Sequence, residues 1–415
     1  MRGDLRYLMA GRALRSLTQG YLGIIVPLYL VHAGYSAFAI GALLTLAAAG
    51  SAAQTALIGF VADRWGRRPV LVGLGFLSAA SGVVFAVTTR YVPLLIAAIL
   101  GTVGTGGGVG SGGGFGPYYP AEQALIAEHA GDRDRTAVFS GLSFIGVLAA
   151  SAGAALAGVP HLLLVSGFGT RIEGYHLLYW LCAVAGVAMA VVILPVRETL
   201  APPSTGGHGK SAPLSGRTRR LLLRFSIANT LNGLAVGFLG PILALWFHLR
   251  YGVNAAQLGV LYFVINLVTV LPYLGVPWIT RRLGGVVRTV VAVRIVSALL
   301  LAVIPLMPTF VLAGGVYLVR MLANAVSIPA RQSFVMGIVA PTERSRMAAL
   351  SNLPSRVSSL AGPVLVGVMV QVMWIGVPLE IASALQAVYA WLYWRFFREV
   401  RPPEEGGALA LEEER

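Results

Sequence analysis

At 415 residues, with 57% hydrophobic and only 11% charged side chains and a mean hydropathy of +0.78, the chain lies far from soluble domains, which are about 25% charged; the composition excludes a soluble protein. A formal net charge of +15 would suit a nucleic-acid partner, but the arginines cluster in short loops between apolar runs, so membrane topology accounts for them and nucleic acid is excluded. The one cysteine, Cys182, lies inside an apolar run, which excludes an intrachain disulfide and a thiolate metal cluster.

Met1 to Leu8 carries Arg2 and Arg6 ahead of a long apolar stretch without a small-residue cleavage site, and reads as the start of a retained helix rather than a signal peptide. At about 20 apolar residues per span, twelve membrane helices are predicted. In the first half they lie near 12–32, 38–62, 69–89, 92–116, 136–160 and 175–195. In the second they lie near 222–247, 256–280, 286–307, 310–333, 346–373 and 376–397. Alternate loops hold the basic residues: Arg64, Arg67 and Arg68; Arg133 and Arg135; Arg217, Arg219 and Arg220; Arg281 and Arg282; Arg344 and Arg346; then Arg398 and Arg401 in the tail. The opposite loops hold little beyond Arg90, Arg171 and Arg250, which places both termini in the cytoplasm.

A Pro-, Gly- and Ser-rich stretch divides the chain into a first bundle at 1–200, a cytoplasmic linker at 201–218 and a second bundle at 219–400, with a polar, acidic, disordered tail at 401–415. Within the linker Gly209-Lys210-Ser211 imitates the end of a phosphate-binding loop. Ser204 stands where its first glycine belongs and no strand precedes it, so no nucleotide site is assigned.

Between the second and third runs stands Gly59-Phe60-Val61-Ala62-Asp63-Arg64-Trp65-Gly66-Arg67-Arg68-Pro69. A carboxylate and three arginines cannot lie in hydrocarbon, so this is a tight aqueous loop, with Gly66 supplying positive φ and Pro69 opening the next helix. The halves also repeat each other. Pro120-Ala121-Glu122-Gln123 is echoed by Pro329-Ala330-Arg331-Gln332, Asp132-Arg133-Asp134-Arg135 by Glu343-Arg344-Ser345-Arg346, and Gly20 by Gly233.

The pattern G-x-x-x-D-R-x-G-R-R resembles the signature loop between helices 2 and 3 of the major facilitator superfamily, and two same-orientation repeats of six spans are how its halves are related. The resemblance covers residues 10–398. It implies an all-α integral membrane fold of twelve helices in two pseudo-symmetric six-helix halves, rocking around a central site. It also implies a conformational latch formed by Gly59, Asp63, Arg64, Gly66, Arg67 and Arg68, with Asp63 meeting the start of the eleventh helix near Arg346 and Met347.

By the same resemblance, helices 1, 4, 7 and 10 with 2, 5, 8 and 11 line the substrate site. Arg320 and Arg356 lie about 11 residues into their spans, roughly 16 Å deep, where an arginine costs at least about 2.5 kcal/mol. Two readings stand: the pair binds an anionic or strongly polar solute through guanidinium forks, or it bonds helix carbonyls beside Pro354 and Pro363. Gln19, Tyr21, Gln54, Asn232, Asn266 and Asn324 are the further substrate-lining candidates, against a reading as ordinary interhelical hydrogen bonds. Arg12 and Arg15, one turn apart, form the rim of a cytoplasmic mouth. Arg294 is expected to snorkel.

No Asp or Glu occupies the middle of a span. Glu122 is the candidate protonation site, the other reading being a rim residue paired with Arg331 or Arg135. A run of glycines at 101–116 marks either close helix packing or a bent, moving segment. The superfamily's usual arginine in the fourth span and Gly-Pro pair in the fifth are absent, Gly362-Pro363 standing in the eleventh instead, a departure from drug–proton antiporters.

These features lead us to expect a secondary active transporter that moves a small organic, anionic or amphipathic solute across the cytoplasmic membrane by alternating access, outward and coupled to protons. A monomer is expected, in the lipid bilayer, with no metal, no catalytic residues and no cofactor beyond the proton. The alternatives are uptake of a polar metabolite, or a membrane receptor or scaffold that transports nothing.

Overall fold

The computed structural model describes residues 2–101, 103, 116–129, 135–167, 170–198, 215–240, 242–269, 271–338 and 344–400. These residues form helices joined by short turns, and no strand occurs among them. In chain order the helices are α1 (Arg2–His32), α2 (Ala37–Trp65), α3 (Arg67–Val87), α4 (Tyr91–Leu100), α5 (Tyr118–His129), α6 (Arg135–Leu156), α7 (Val159–Val165), α8 (Arg171–Ile193) and α9 (Gly216–Gly237). They continue as α10 (Ile242–Tyr251), α11 (Ala255–Val268), α12 (Leu271–Arg282), α13 (Val286–Val303), α14 (Phe310–Gly337), α15 (Arg344–Ser359), α16 (Gly362–Val372) and α17 (Val377–Phe397).

Local chemistry sets several starts. Thr170 and Glu173 close a capping box at α8, with Thr170 N donating to Glu173 Oε2 at 2.6 Å and Glu173 N to Thr170 Oγ1 at 3.3 Å. Asn254 and Gln257 do the same for α11, and Ser36 and Thr309 cap α2 and α14.

Among the described residues eight helical stretches are long and apolar enough to cross a bilayer, nine when the broken α9–α10 pair counts as one. Every predicted span carries helix. The fourth and eighth appear as the shorter apolar helices α4 and α11, and the twelfth as α17. Their outer faces expose large apolar side chains such as Leu57, Phe144, Val311 and Val372, which only a lipid surround makes favourable. This is a multi-pass, all-α membrane protein. The glycines at 104–114, the linker at 201–214 and the tail at 401–415 lie outside the described residues.

The chain packs as two units: Met1–Gly207 with Pro241–Leu267, and His208–Gly240 with Val268–Arg415. The stretch 241–267, assigned from sequence to the second bundle, packs in the first unit, where His248 of α10 lies against His32 of α1 with ring centroids 5.8 Å apart. Between membrane helices there is little hydrophobic drive, so association depends on close packing over small residues. In the first unit a side chain on Gly20 would overlap the Ala150 carbonyl of α6, and one on Gly153 the Leu17 carbonyl of α1. In the second, Gly233 and Gly237 of α9 press on the carbonyls of Ser355 and Ser359 of α15. The repeat seen in the sequence is thus a repeat of helix crossings: α1 on α6 and α3 on α8 in one unit, α9 on α15 and α13 on α17 in the other.

Candidate functional site

Arg12 and Arg15 stand three residues apart on α1 and so share a face; on α5, Tyr118 and Glu122 stand four apart and share another. The two faces meet. Arg12 Nη1 donates to Glu122 Oε2 at 2.6 Å and Arg15 Nη1 to the same oxygen at 3.4 Å, while the Arg15 guanidinium lies 4.9 Å from the centre of the Tyr118 ring, a cation–π contact. The three charged residues are 5–7% exposed, so the group is desolvated, and its single carboxylate offsets one of its two guanidinium charges. They sum to +1 with Glu122 ionised and +2 with it protonated. A proton on Glu122 therefore removes the charge that draws α1 and α5 together. Gly11, Arg12, Arg15, Tyr118 and Glu122 border a cavity of about 10 Å³, room for about one water.

Glu122 thus pairs with the two arginines of the first span; the side chain of Arg135 lies outside the described residues. The second unit treats the corresponding places differently. Counting back from the paired glycines Gly20 and Gly233, Arg12 corresponds to Phe225 and Arg15 to Ala228. Phe225 is fully buried, stacked on Phe397 at 4.2 Å and tilted against Phe334 at 6.2 Å. Arg331 stands where Glu122 does, donating from Nη1 to Asn229 Oδ1 at 3.4 Å; Asn229 Nδ2 donates in turn to Ser351 O at 2.6 Å.

The loop between α2 and α3 turns at Gly66, whose φ of 93° lies in the left-handed region that glycine adopts without strain. Its anchor is a residue the sequence reading passed over. Glu198, beyond the end of α8, accepts from Arg67 N at 2.5 Å and from Arg68 N at 3.2 Å, satisfying two orphan N–H groups at the positive end of α3. A side chain on Gly66 would sit 2.8 Å from Glu198 Oε2, so the cap itself demands glycine. The signal available in the sequence was an acid just after the sixth apolar run, next to Arg197. Gly59, Asp63 and Arg64 lie within α2, but their side-chain surroundings, like those of Arg346 and Met347, fall outside the described residues.

The substrate-lining candidates are scattered. Gln54 donates through Nε2 to the carbonyls of Ile99 and Leu100, both at 2.8 Å, closing the end of α4 where the glycine run begins. Tyr21 is fully buried against Cys182, and Gln19 is buried on the same helix. Asn266 is buried in α11; Asn232 is buried in α9 with its Oδ1 unpartnered, and Asn324 of α14 keeps a buried Oδ1 without a partner as well. Arg320 is buried, its guanidinium 5.8 Å from the Tyr317 ring. Arg356 is exposed on α15, in a bilayer-length stretch, Leu353–Val372, of which only 22% is buried and which begins three residues before it. Arg294, expected to snorkel, is only 4% exposed.

The sequence model of the Major Facilitator Superfamily matches residues 8–327. The chain belongs to that superfamily. A curated relative, an uncharacterized membrane protein of Saccharomyces cerevisiae (YJR124C), is 23% identical over 88% of each chain. Among solved structures, the nucleoside transporter NupG superposes with a TM-score of 0.71 at 15% identity, covering 96% of this chain and 100% of its own. The xylose transporter XylE of E. coli, in an inward-open conformation, gives 0.69 at 15% identity, covering 97% and 98%, and the human organic anion transporter MFSD10 gives 0.61 at 18%, covering 94% and 99%. Identities this low establish the shared fold. With the superfamily match they make the protein a secondary transporter rather than an enzyme.

Proposed function

We propose that this transporter couples the movement of a small organic solute to protons, with Glu122 as the residue that takes up and releases the proton. The observation that carries the reading is the buried Arg12–Glu122–Arg15 group beside a one-water cavity. Among the described residues Glu122 is the buried carboxylate that bridges two helices, and its charge decides whether α1 and α5 attract. Loading a proton frees the arginines, and losing it restores the clamp, which gives a two-state element for alternating access. The solute carries an anionic group, often on an amphipathic body, and meets Arg320 among its ligands; Arg356, Gln19, Tyr21, Asn232, Asn266 and Asn324 are the remaining candidates. Movement is outward across the cytoplasmic membrane, by a monomer with both termini in the cytoplasm. In proteoliposomes loaded with a pH-sensitive dye, organic anions offered down their gradients should move protons. If no member of a panel of organic anions, nucleosides and sugars does so while labelled solute still crosses, proton coupling is wrong.

A further inference from the structure

The interior of the second unit holds positive charge that no described carboxylate balances. Arg294 of α13 and Arg320 of α14 are each 4% exposed, and Arg331 of α14 is half-buried. Among the described residues the ion pairs are Arg12–Glu122, Arg15–Glu122 and Arg398–Glu399, so no described carboxylate meets any of the three. Buried guanidinium groups are retained when something pairs with them, and no carboxylate among the described residues does so here.

The surroundings are donors. Gln386, Tyr389 and Tyr393 occur at spacings of three and four on α17 and therefore share a face. That face meets α13 twice: Ser297 Oγ donates to Gln386 Oε1 at 3.2 Å, and the Arg294 guanidinium lies 5.4 Å from the Tyr389 ring centre. It meets α14 at Arg331, which lies beside Tyr389 and Tyr393. Arg294 Nε, Arg320 Nε, Gln386 Nε2 and the Tyr393 hydroxyl are buried and meet no hydrogen-bond partner, whereas the Tyr389 hydroxyl lies within reach of the Arg331 guanidinium. The helices supply many N–H and O–H groups and, beyond the neutral oxygens of Asn229, Gln386 and Tyr389, no described acceptor that carries negative charge.

Arg294 lies eight residues into α13 and Arg331 six residues from the end of α14, about 12 Å and 9 Å from neighbouring helix ends. Both sit at the depth an acidic headgroup or the charged end of a solute reaches from that side.

We propose that Arg294 and Arg331, with the hydroxyls of Tyr389 and Tyr393, form an oxyanion site that takes a carboxylate or phosphate group. Guanidinium forks match the paired oxygens of such groups, and the half-buried Arg331 marks the way in. The site shares no residue with the Arg12–Glu122–Arg15 group and does not depend on proton coupling, so each reading can fail alone.

The test is thermal unfolding of the purified full-length protein in neutral detergent, titrated with inorganic phosphate and pyrophosphate against chloride at matched ionic strength, and repeated in nanodiscs of phosphatidylglycerol or phosphatidylcholine. Wild type is expected to show a saturable rise in melting temperature with one of the anionic probes. A response to free phosphate assigns a solute or ion as occupant, and a response confined to phosphatidylglycerol assigns a lipid headgroup. Arg294→Gln and Arg331→Gln should each weaken half-saturation about tenfold or more, and Tyr389→Phe less. Without anion, Arg294→Gln should melt higher than wild type, because it removes an unbalanced buried charge. No response in any arm, or an unchanged response in both arginine variants, overturns the site; so does a lower anion-free melting temperature in Arg294→Gln together with an Arg331→Gln response equal to wild type.

Discussion

Glu122 and Arg331 hold the same place in the two repeats and carry opposite charges, and the residues facing them have changed in step. Opposite Glu122 stand Arg12 and Arg15; opposite Arg331 the same positions of α9 are Phe225 and Ala228, set in the aromatic cluster of Phe334, Tyr393 and Phe397. The helix crossings beneath are preserved, since glycine allows the close approach in both units. A duplicated scaffold thus keeps its backbone packing while one copy holds a titratable cluster and the other an apolar core with an unbalanced cation. The difference teaches that symmetry belongs to the packing and asymmetry to the chemistry.

The comparison is broken most strongly at its charged end. Arg12→Met leaves Glu122 paired with Arg15 through the longer bond alone, and losing the short charged hydrogen bond costs about 1.5–3 kcal/mol. Phe225→Met at the corresponding place swaps one apolar body for another and should cost less than about 1.5 kcal/mol. Denaturation in mixed micelles separates the two, and equal losses would mean that the first cluster is no more than packing.

The crossings should behave alike. Gly20→Val and Gly233→Val each force α1 from α6 or α9 from α15, at about 1–3 kcal/mol by overpacking. Matched drops in melting temperature support a shared scaffold; a drop in only one contradicts it. The smallest expected effect is at the loop, where Glu198→Ala removes the cap on α3 and should cost about 0.5–2 kcal/mol. Hydrogen exchange at Arg67 and Arg68 should rise in that variant, with the rest of α3 little changed.

Much of this was legible in the sequence. The apolar runs, the loop at Gly66 and the echo of Pro120-Ala121-Glu122-Gln123 in Pro329-Ala330-Arg331-Gln332 led to the right superfamily, because span length and glycine-mediated crossings are local properties. The pairing of Glu122 with Arg12 and Arg15 was not legible, since it joins residues more than a hundred apart across two faces that no local pattern aligns. Gln54 carried two readings, cavity lining and interhelical hydrogen bond, and its donation to the carbonyls that end α4 matches the second. Depth along a span placed Arg320 and Arg356 together, yet one is buried and the other exposed, because position along a helix says nothing about direction around it. Glu198 was missed because an acid near arginines reads as surface charge until the start of α3 is brought to it.

The most direct test of the central claim is Glu122→Gln in proteoliposomes, comparing solute exchange with accumulation driven by an imposed pH gradient. Glutamine keeps the shape and holds no exchangeable charge. Exchange should persist while gradient-driven accumulation is lost. If accumulation in the variant matches wild type, Glu122 does not carry the proton and the Arg12–Glu122–Arg15 group is structural.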